Sequence, residues 1–124
     1  MALNYNPDTD IPDLSGKVIL ITGGMHPRPR RRNNPPTIQT LPAHTYFTGR
    51  TSSAADSLIA ELSKTSPKPT TNLTYIPCDQ SSLSSVASAA KTFLDKSQNR
   101  LDLLICNAGI MIVPLAVSKD GYEI

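Results

Sequence analysis

Four short motifs of small, polar or charged residues each follow a run of apolar residues in this 124-residue chain. In chain order they are Thr22-Gly23-Gly24, Thr48-Gly49-Arg50, Cys78-Asp79 and Asn107-Ala108-Gly109. A short apolar run that ends in such a motif is typical of a strand buried on both faces of a parallel sheet. Because the carboxyl ends of parallel strands meet at one edge, where ligands of α/β proteins bind, the motifs predict a binding site along that edge.

The first two motifs have the chemistry to bind phosphate groups. Gly23 and Gly24 would allow the backbone to approach a pyrophosphate closely, although an ordinary tight turn uses the same residues. Arg50 could pair with a ribose 2′-phosphate, whereas a carboxylate at this position would bind the 2′-hydroxyl. A solvated surface arginine is the alternative interpretation of Arg50.

The last two motifs could contact the planar parts of a nucleotide. Asp79 comes just before Ser81 and Ser82. It could cap a helix together with these serines, or it could accept a hydrogen bond from the amino group of a base. The small side chains of Asn107-Ala108-Gly109 would leave room for a flat ring, and the Asn107 amide could join neighbouring strands. A plain turn is the alternative for this motif.

The apolar pattern also predicts the elements that position the motifs. We expect strands at 17–22, 44–48, 72–77 and 101–106, and helices at 51–64 and after Ser82. The predicted apolar stripe of the second helix consists of Leu83, Val86, Ala87, Ala90, Phe93 and Leu94. Strands that alternate with helices form right-handed βαβ units. The sequence therefore predicts an α/β fold, a partial doubly wound parallel sheet of the Rossmann-like kind with about four strands.

Residues 25–42 interrupt this pattern. They hold four arginines, five prolines and no acidic residue. Since proline fixes φ and removes a backbone donor, a regular helix is excluded here, and we predict that the first helix is absent or disordered. Residues 1–14 are predicted to be a polar N-terminal arm, and 15–124 an incomplete Rossmann-type domain in which 25–42 is an irregular Arg/Pro-rich insert.

Composition argues against several other classes of protein. The net charge is +2, but outside residues 25–42 the chain has eight basic and ten acidic residues, which argues against a nucleic-acid partner. No apolar run approaches the ~20 residues of a membrane span, and the polar N-terminus is unlike a signal or transit peptide, so we expect a cytoplasmic protein without a membrane partner. Cys78 and Cys106 stand singly, without metal-ligand spacing, and both are predicted to be buried thiols.

In order and spacing, the four motifs resemble the opening of the short-chain dehydrogenase/reductase family. The similar segments are GKVILITGG at 16–24, YFTGR at 46–50, IPCDQSS at 76–82 and LDLLICNAGI at 101–110. The resemblance implies an NAD(P)-dependent oxidoreductase, with Arg50 favouring NADP over NAD and Asp79 contacting adenine. It assigns the remaining cofactor contacts to Thr22, Gly23, Gly24, Asn107, Ala108 and Gly109.

Two departures from the family pattern limit what the chain is expected to do. Pro27 and Pro29 occupy the positions of the second and third loop glycines, so we expect weak NADP binding. No residue here matches the family's catalytic Ser, Tyr or Lys, so we expect a truncated, inactive form and assign no catalytic residue. The resemblance implies a small-molecule substrate for full-length relatives, but neither the identity of this substrate nor the oligomeric state is predicted. The alternative function is a non-catalytic nucleotide-binding or protein-interaction module in which residues 25–42 form a basic disordered arm.

Overall fold

The computed structural model describes residues 6, 10, 12–23, 43–65, 72–110, 114 and 116–123. Within these residues the chain forms four strands and two helices. In chain order they are β1 (Val18–Ile21), β2 (His44–Gly49), α1 (Ser52–Thr65), β3 (Leu73–Pro77), α2 (Leu83–Ser97) and β4 (Leu103–Ile105). All strand pairs are parallel, and the order across the sheet is β3-β2-β1-β4. The predicted α/β fold with a parallel sheet is confirmed.

The order of the strands creates a switch point between β1 and β4. From β1 the chain proceeds outward through β2 to β3, and α2 then returns across the sheet to β4 on the other side of β1. In doubly wound sheets, ligands bind at the carboxyl ends of the two strands on either side of such a switch point, which here are β1 and β4. This is the edge where the predicted site residues end their strands.

The core lies where α2 packs on the sheet. Tyr46 on β2 presents its ring edge to Phe93 on α2, with 5.1 Å between the ring centroids. The Tyr46 hydroxyl donates to the backbone carbonyl of Lys96 at 3.0 Å. Val18, Ile76, Cys78 and Ala89 complete the buried cluster. The adjacent strand residues Phe47 on β2 and Tyr75 on β3 point to the other face of the sheet, where their ring centroids lie 5.6 Å apart.

The predicted apolar stripe of α2 is wrong except for Phe93. The face turned to the sheet carries Ser85, Ala89, Phe93 and Ser97, which recur every four residues. The stripe residues Leu83, Val86, Ala87, Ala90 and Leu94 are exposed. On average they lie about a quarter of a turn away around the helix axis, with Val86 nearest to the buried face. The buried face combines the ring of Phe93, which packs on Tyr46, with the small side chains of Ala89 and Ser97.

Asp102 fixes the start of β4 against the start of β1. Its carboxylate accepts a hydrogen bond from the backbone N–H of Val18 at 2.8 Å, and its own N–H donates to the Val18 carbonyl at 2.9 Å. The guanidinium of Arg100 pairs with the same carboxylate at 3.0 Å. These contacts lower the pKa of Asp102, chiefly through the hydrogen bond from Val18. Nothing in the local pattern around Asp102 predicted this role.

The fourth strand also departs from its prediction. It spans only Leu103–Ile105, and all three residues are exposed because β4 is an edge of the sheet in the described part of the chain. Cys78 is buried as predicted, but Cys106, just past the end of β4, is exposed. The prediction of a buried thiol at Cys106 rested on its place at the end of an apolar run, and it is wrong because the edge strand β4 leaves this position exposed. Neither described helix has the length and apolar character that a membrane span requires.

Alanine substitutions at the neighbouring α2 residues Phe93 and Leu94 test which side of the helix packs on the sheet. We expect Phe93→Ala to lower the free energy of unfolding by about 3–5 kcal/mol, because it removes a buried ring from the core. Leu94→Ala should cost less than about 1 kcal/mol, because the Leu94 side chain is exposed. Urea unfolding followed by circular dichroism measures both values. Equal losses in the two variants would contradict the observed orientation of α2.

The low pKa of Asp102 predicts an acid-dependent loss of stability. In the unfolded chain this carboxyl titrates near its ordinary value of 3.8, and in the folded chain below that value. Its ionised form therefore stabilises the fold above pH ~4, and this contribution disappears as the pH falls through the folded-state pKa. Asp102→Asn, which can still accept from Val18, should show a flatter decline of melting temperature between pH 5 and pH 3. An unchanged acid profile in the variant would be inconsistent with this role.

Candidate functional site

The parallel sheet brings all four predicted motifs to one edge. Because the strand order is β3-β2-β1-β4, the motif residues follow one another along the edge in that order. Across the sheet they are Asp79 after β3, Arg50 after β2, Thr22 and Gly23 after β1, and Asn107 and Ala108 after β4. Residues separated by up to 86 positions in sequence thus meet at the same edge of the sheet. Gly24 lies outside the described residues.

The ends of β1 and β4 are joined by a compact set of hydrogen bonds. The Asn107 side-chain amide donates to the carbonyls of Thr22 at 3.3 Å and Gly23 at 3.2 Å. In the same direction, the backbone N–H of Ala108 donates to the Thr22 hydroxyl at 3.2 Å. The Thr22 N–H donates to the carbonyl of Ile105 at 3.0 Å. The prediction that the Asn107 amide joins neighbouring strands is confirmed.

Gly23 and Ala108 are in direct backbone contact. A Cβ atom placed on Gly23 would lie 2.6 Å from the Cα and 2.7 Å from the Cβ of Ala108, closer than any side chain tolerates. Gly23 also has a φ of +66°, in the left-handed region that favours glycine. Two independent constraints, space and backbone conformation, therefore require glycine here. Gly109, by contrast, has open space around its Cα and takes no part in this contact.

Thr48 connects the same junction to β2. It is buried, and its hydroxyl accepts a long hydrogen bond from the backbone N–H of Gly23 at 3.4 Å. This role of Thr48 was not predicted from the sequence. The available signal was a hydroxyl next to Phe47 at the end of a buried strand, because a buried hydroxyl needs a hydrogen-bond partner.

Arg50 and Asp79 share an open pocket of about 460 Å³ beside this junction. The pocket is lined by the ends of β2 and β3 and by the polar side of the first half of α2, which contributes Ser84, Ser85 and Ser88. The Arg50 side chain is exposed and has no ion-pair partner among the described residues. A cation and a carboxylate thus face one pocket from adjacent strands without neutralising each other.

The carboxylate of Asp79 is held by three donors. The N–H and hydroxyl of Ser81 donate to its Oδ1 at 3.1 and 2.7 Å. The ammonium of Lys119 lies 2.7 Å from its Oδ2. The hydrogen bonds from Lys119 and Ser81 hold the pKa of Asp79 well below its usual range, so the group is ionised at neutral pH. Lys119 was not predicted, because it lies 40 residues away in sequence.

The predicted helix cap at the start of α2 is right in its position and wrong in its hydrogen bonds. Ser82 occupies the N-cap position, but its side chain makes no capping hydrogen bond and instead contacts the hydroxyl of Ser84 at 2.9 Å. Asp79 and Ser81 bond to each other, and the N–H of Leu83 donates to the carboxylate of Asp120 at 2.6 Å. The cap therefore comes from a distant turn, and the Asp79 carboxylate bonds to Ser81 and Lys119 instead.

Glycine-to-alanine substitutions should distinguish the two constraints on Gly23. We expect Gly23→Ala to destabilise the fold by about 2–5 kcal/mol, because positive φ and overlap with Ala108 add together. Gly121→Ala has the positive φ but open space, and it should cost about 1–2 kcal/mol. Gly109→Ala, with neither constraint, should be close to neutral. Thermal unfolding of the three variants gives the ranking, and equal losses at Gly23 and Gly121 would rule out the close contact.

Comparison with known proteins places these features in a family. No family model matches the sequence. A short-chain dehydrogenase/reductase of Aspergillus calidoustus, drtF, is 34% identical over 121 residues, which cover 91% of this chain and 34% of that protein. A short chain dehydrogenase/reductase of Colletotrichum higginsianum, dpchH, is 34% identical over 119 residues, or 93% of this chain and 28% of that one. The chain thus spans about a third of the length of the curated relatives it matches.

A solved structure shares the fold. The crystal structure of an NADPH-bound carbonyl reductase from chicken fatty liver superposes with a TM-score of 0.56 at 22% identity, over 92% of this chain and 41% of that one. The likeness extends the agreement from sequence to the arrangement of strands and helices. The similar proteins are of one kind and match most of this chain, the solved structure has the same fold, and the four strand-end motifs meet at one edge of the sheet. The chain belongs to the short-chain dehydrogenase/reductase family of oxidoreductases.

Proposed function

We propose that residues 1–124 supply the nucleotide-binding part of an oxidoreductase that uses NADP in preference to NAD to interconvert a carbonyl and an alcohol. The observation that carries the proposal is the pocket shared by Arg50 and Asp79 beside the joined ends of β1 and β4. The relatives are named as short-chain dehydrogenase/reductases, and the solved carbonyl reductase is described as NADPH-bound, which supports this choice of cofactor.

The described residues fit the adenosine end of NADP. The exposed guanidinium of Arg50 can donate two parallel hydrogen bonds to a 2′-phosphate, which a carboxylate at this position would repel. The Asp79 carboxylate offers about four acceptor positions, of which Ser81 and Lys119 use three, so one remains for the exocyclic amino group of adenine. Both groups lie at the end of the sheet where nucleotides bind in doubly wound folds.

The junction of β1 and β4 fits the next part of the cofactor. Since no side chain can be accommodated at Gly23, only backbone lies at the end of β1. The Asn107 amide holds the two strand ends at a fixed separation. When bound, the nicotinamide supplies or accepts the hydride, and the residues of this chain bind and orient it.

We further propose that these 124 residues do not catalyse hydride transfer by themselves. The family's acid–base chemistry uses Ser, Tyr and Lys, and no tyrosine of this chain is followed by a lysine four residues later. Pro27 and Pro29 stand where the family loop has glycines, and proline provides no N–H for a phosphate. NADPH affinity is therefore expected to be weaker than micromolar. The proposed partner of the whole protein is a small carbonyl or alcohol substrate.

Binding of a half-cofactor tests the adenosine end without the segment around Pro27 and Pro29. Adenosine 2′,5′-bisphosphate carries the base and the 2′-phosphate but no pyrophosphate. We expect the chain to bind it about tenfold more tightly than adenosine 5′-monophosphate, as one charge-assisted contact from Arg50 would give. Arg50→Leu should remove this preference. Chemical-shift titration of the labelled chain measures dissociation constants into the millimolar range.

The matched control is Lys64→Leu, which removes the same charge in the last turn of α1, far from the carboxyl edge of the sheet. It should retain the preference for the bisphosphate. Equal affinity of the wild-type chain for the two nucleotides would refute NADP selection by Arg50. NADPH oxidation by the chain in the presence of small aldehydes or ketones would refute the proposed lack of catalysis.

A further inference from the structure

The turn at 117–123 is built to a defined shape. Val117 and Glu123 form an antiparallel bridge, and the Ser118 N–H donates to the Tyr122 carbonyl at 2.7 Å. The Ser118 hydroxyl accepts from the N–H of Tyr122 at 3.0 Å. Gly121 has a φ of +83°, which closes the turn. Four local constraints thus fix the direction in which the two residues at its tip, Lys119 and Asp120, point.

The tip of this turn contacts the loop between β3 and α2 at three points. The Lys119 N–H donates to the Ser81 carbonyl at 3.1 Å. The Lys119 ammonium lies 2.7 Å from the Asp79 carboxylate, and the Asp120 carboxylate accepts from the N–H of Leu83 at 2.6 Å. The contacts alternate between backbone and side chain and span two successive residues of the turn. The three contacts together allow the turn to dock in only one register. A single surface ion pair would not fix the register.

We propose that Lys119 is a positioning residue for base recognition, which holds the Asp79 carboxylate so that its one free acceptor position faces the pocket shared with Arg50. The inference rests on the proposed function, since it assigns a role to Lys119 toward the base of the bound nucleotide. Ser81 donates two hydrogen bonds to one oxygen of the Asp79 carboxylate, and Lys119 donates one to the other oxygen. Without Lys119, rotation of the carboxylate is opposed only from the Ser81 side.

A carboxylate held in this way should distinguish adenine from hypoxanthine. The amino group at position 6 of adenine can donate to a fixed carboxylate oxygen, whereas the carbonyl of hypoxanthine presents an acceptor to an acceptor. A fixed carboxylate therefore selects the amino base, and a mobile one selects less because it can turn away from the carbonyl. Lys119 also compensates the charge of Asp79 close to the phosphates of a bound nucleotide. Its removal should weaken both ligands and reduce the selectivity between them.

The test compares adenosine and inosine 2′,5′-bisphosphates on the full 124-residue chain. We expect the wild-type chain to prefer the adenosine compound by about tenfold, as one hydrogen bond to a charged group would give. Lys119→Met should reduce the ratio to less than about threefold, and Lys119→Arg, which keeps a donor cation, should restore it. The matched control is Lys91→Met, which removes the same charge from an exposed position on α2 and should leave the ratio unchanged.

Hydrogen exchange of the free chain provides a second readout. The backbone amides at positions 83 and 119 should exchange about tenfold faster in Lys119→Met than in Lys91→Met, because the first substitution weakens docking of the turn. A Lys119→Met ratio within twofold of the wild-type ratio overturns the inference and leaves the proposed function intact. Absence of binding of either bisphosphate to the wild-type chain overturns both. Equal exchange rates in the two variants also overturn the inference, because the turn would then dock without Lys119.

Discussion

The arrangement of the described structure depends on the contact between the end of β1 and the end of β4. Gly23 and Ala108 approach so closely that only glycine fits at position 23, and the Asn107 amide bonds to two successive carbonyls across the gap. These two strands are the neighbours at which the chain changes direction in the sheet. The contact therefore fixes the spacing of these two strand ends, at the edge where nucleotides bind in doubly wound folds.

Both ends of the β1–β4 pair are fixed, but by different chemistry. At the amino end, the Asp102 carboxylate accepts from Val18 and is paired with Arg100, so this end depends on ionisation. At the carboxyl end, the bonds run between neutral amides, a hydroxyl and backbone carbonyls, and they are independent of pH across the ordinary range. β4 contributes only three residues to the sheet, and the two sets of contacts hold it in register.

The base end of the site is organised by a different principle. Asp79, the predicted adenine contact, is held by Ser81 from its own loop and by Lys119 from the turn at 117–123. The same turn supplies Asp120 as the cap of α2, so the helix start and the carboxylate share one support. The turn at 117–123 is therefore connected to the predicted site by hydrogen bonds of 2.6–3.1 Å.

The sequence by itself determined the α/β fold, the order of the elements and the edge at which Thr22, Gly23, Arg50, Asp79 and Asn107 end their strands, because apolar runs and strand-end motifs are local signals. It did not determine which side of α2 faces the sheet, since that side is defined by the packing of Phe93 on Tyr46 of a different element, and its other buried residues are small. Nor did it identify Asp102, Thr48, Lys119 or Asp120 as supports of the site. Their partners lie 25 to 84 residues away, and only the folded chain brings them within hydrogen-bonding distance.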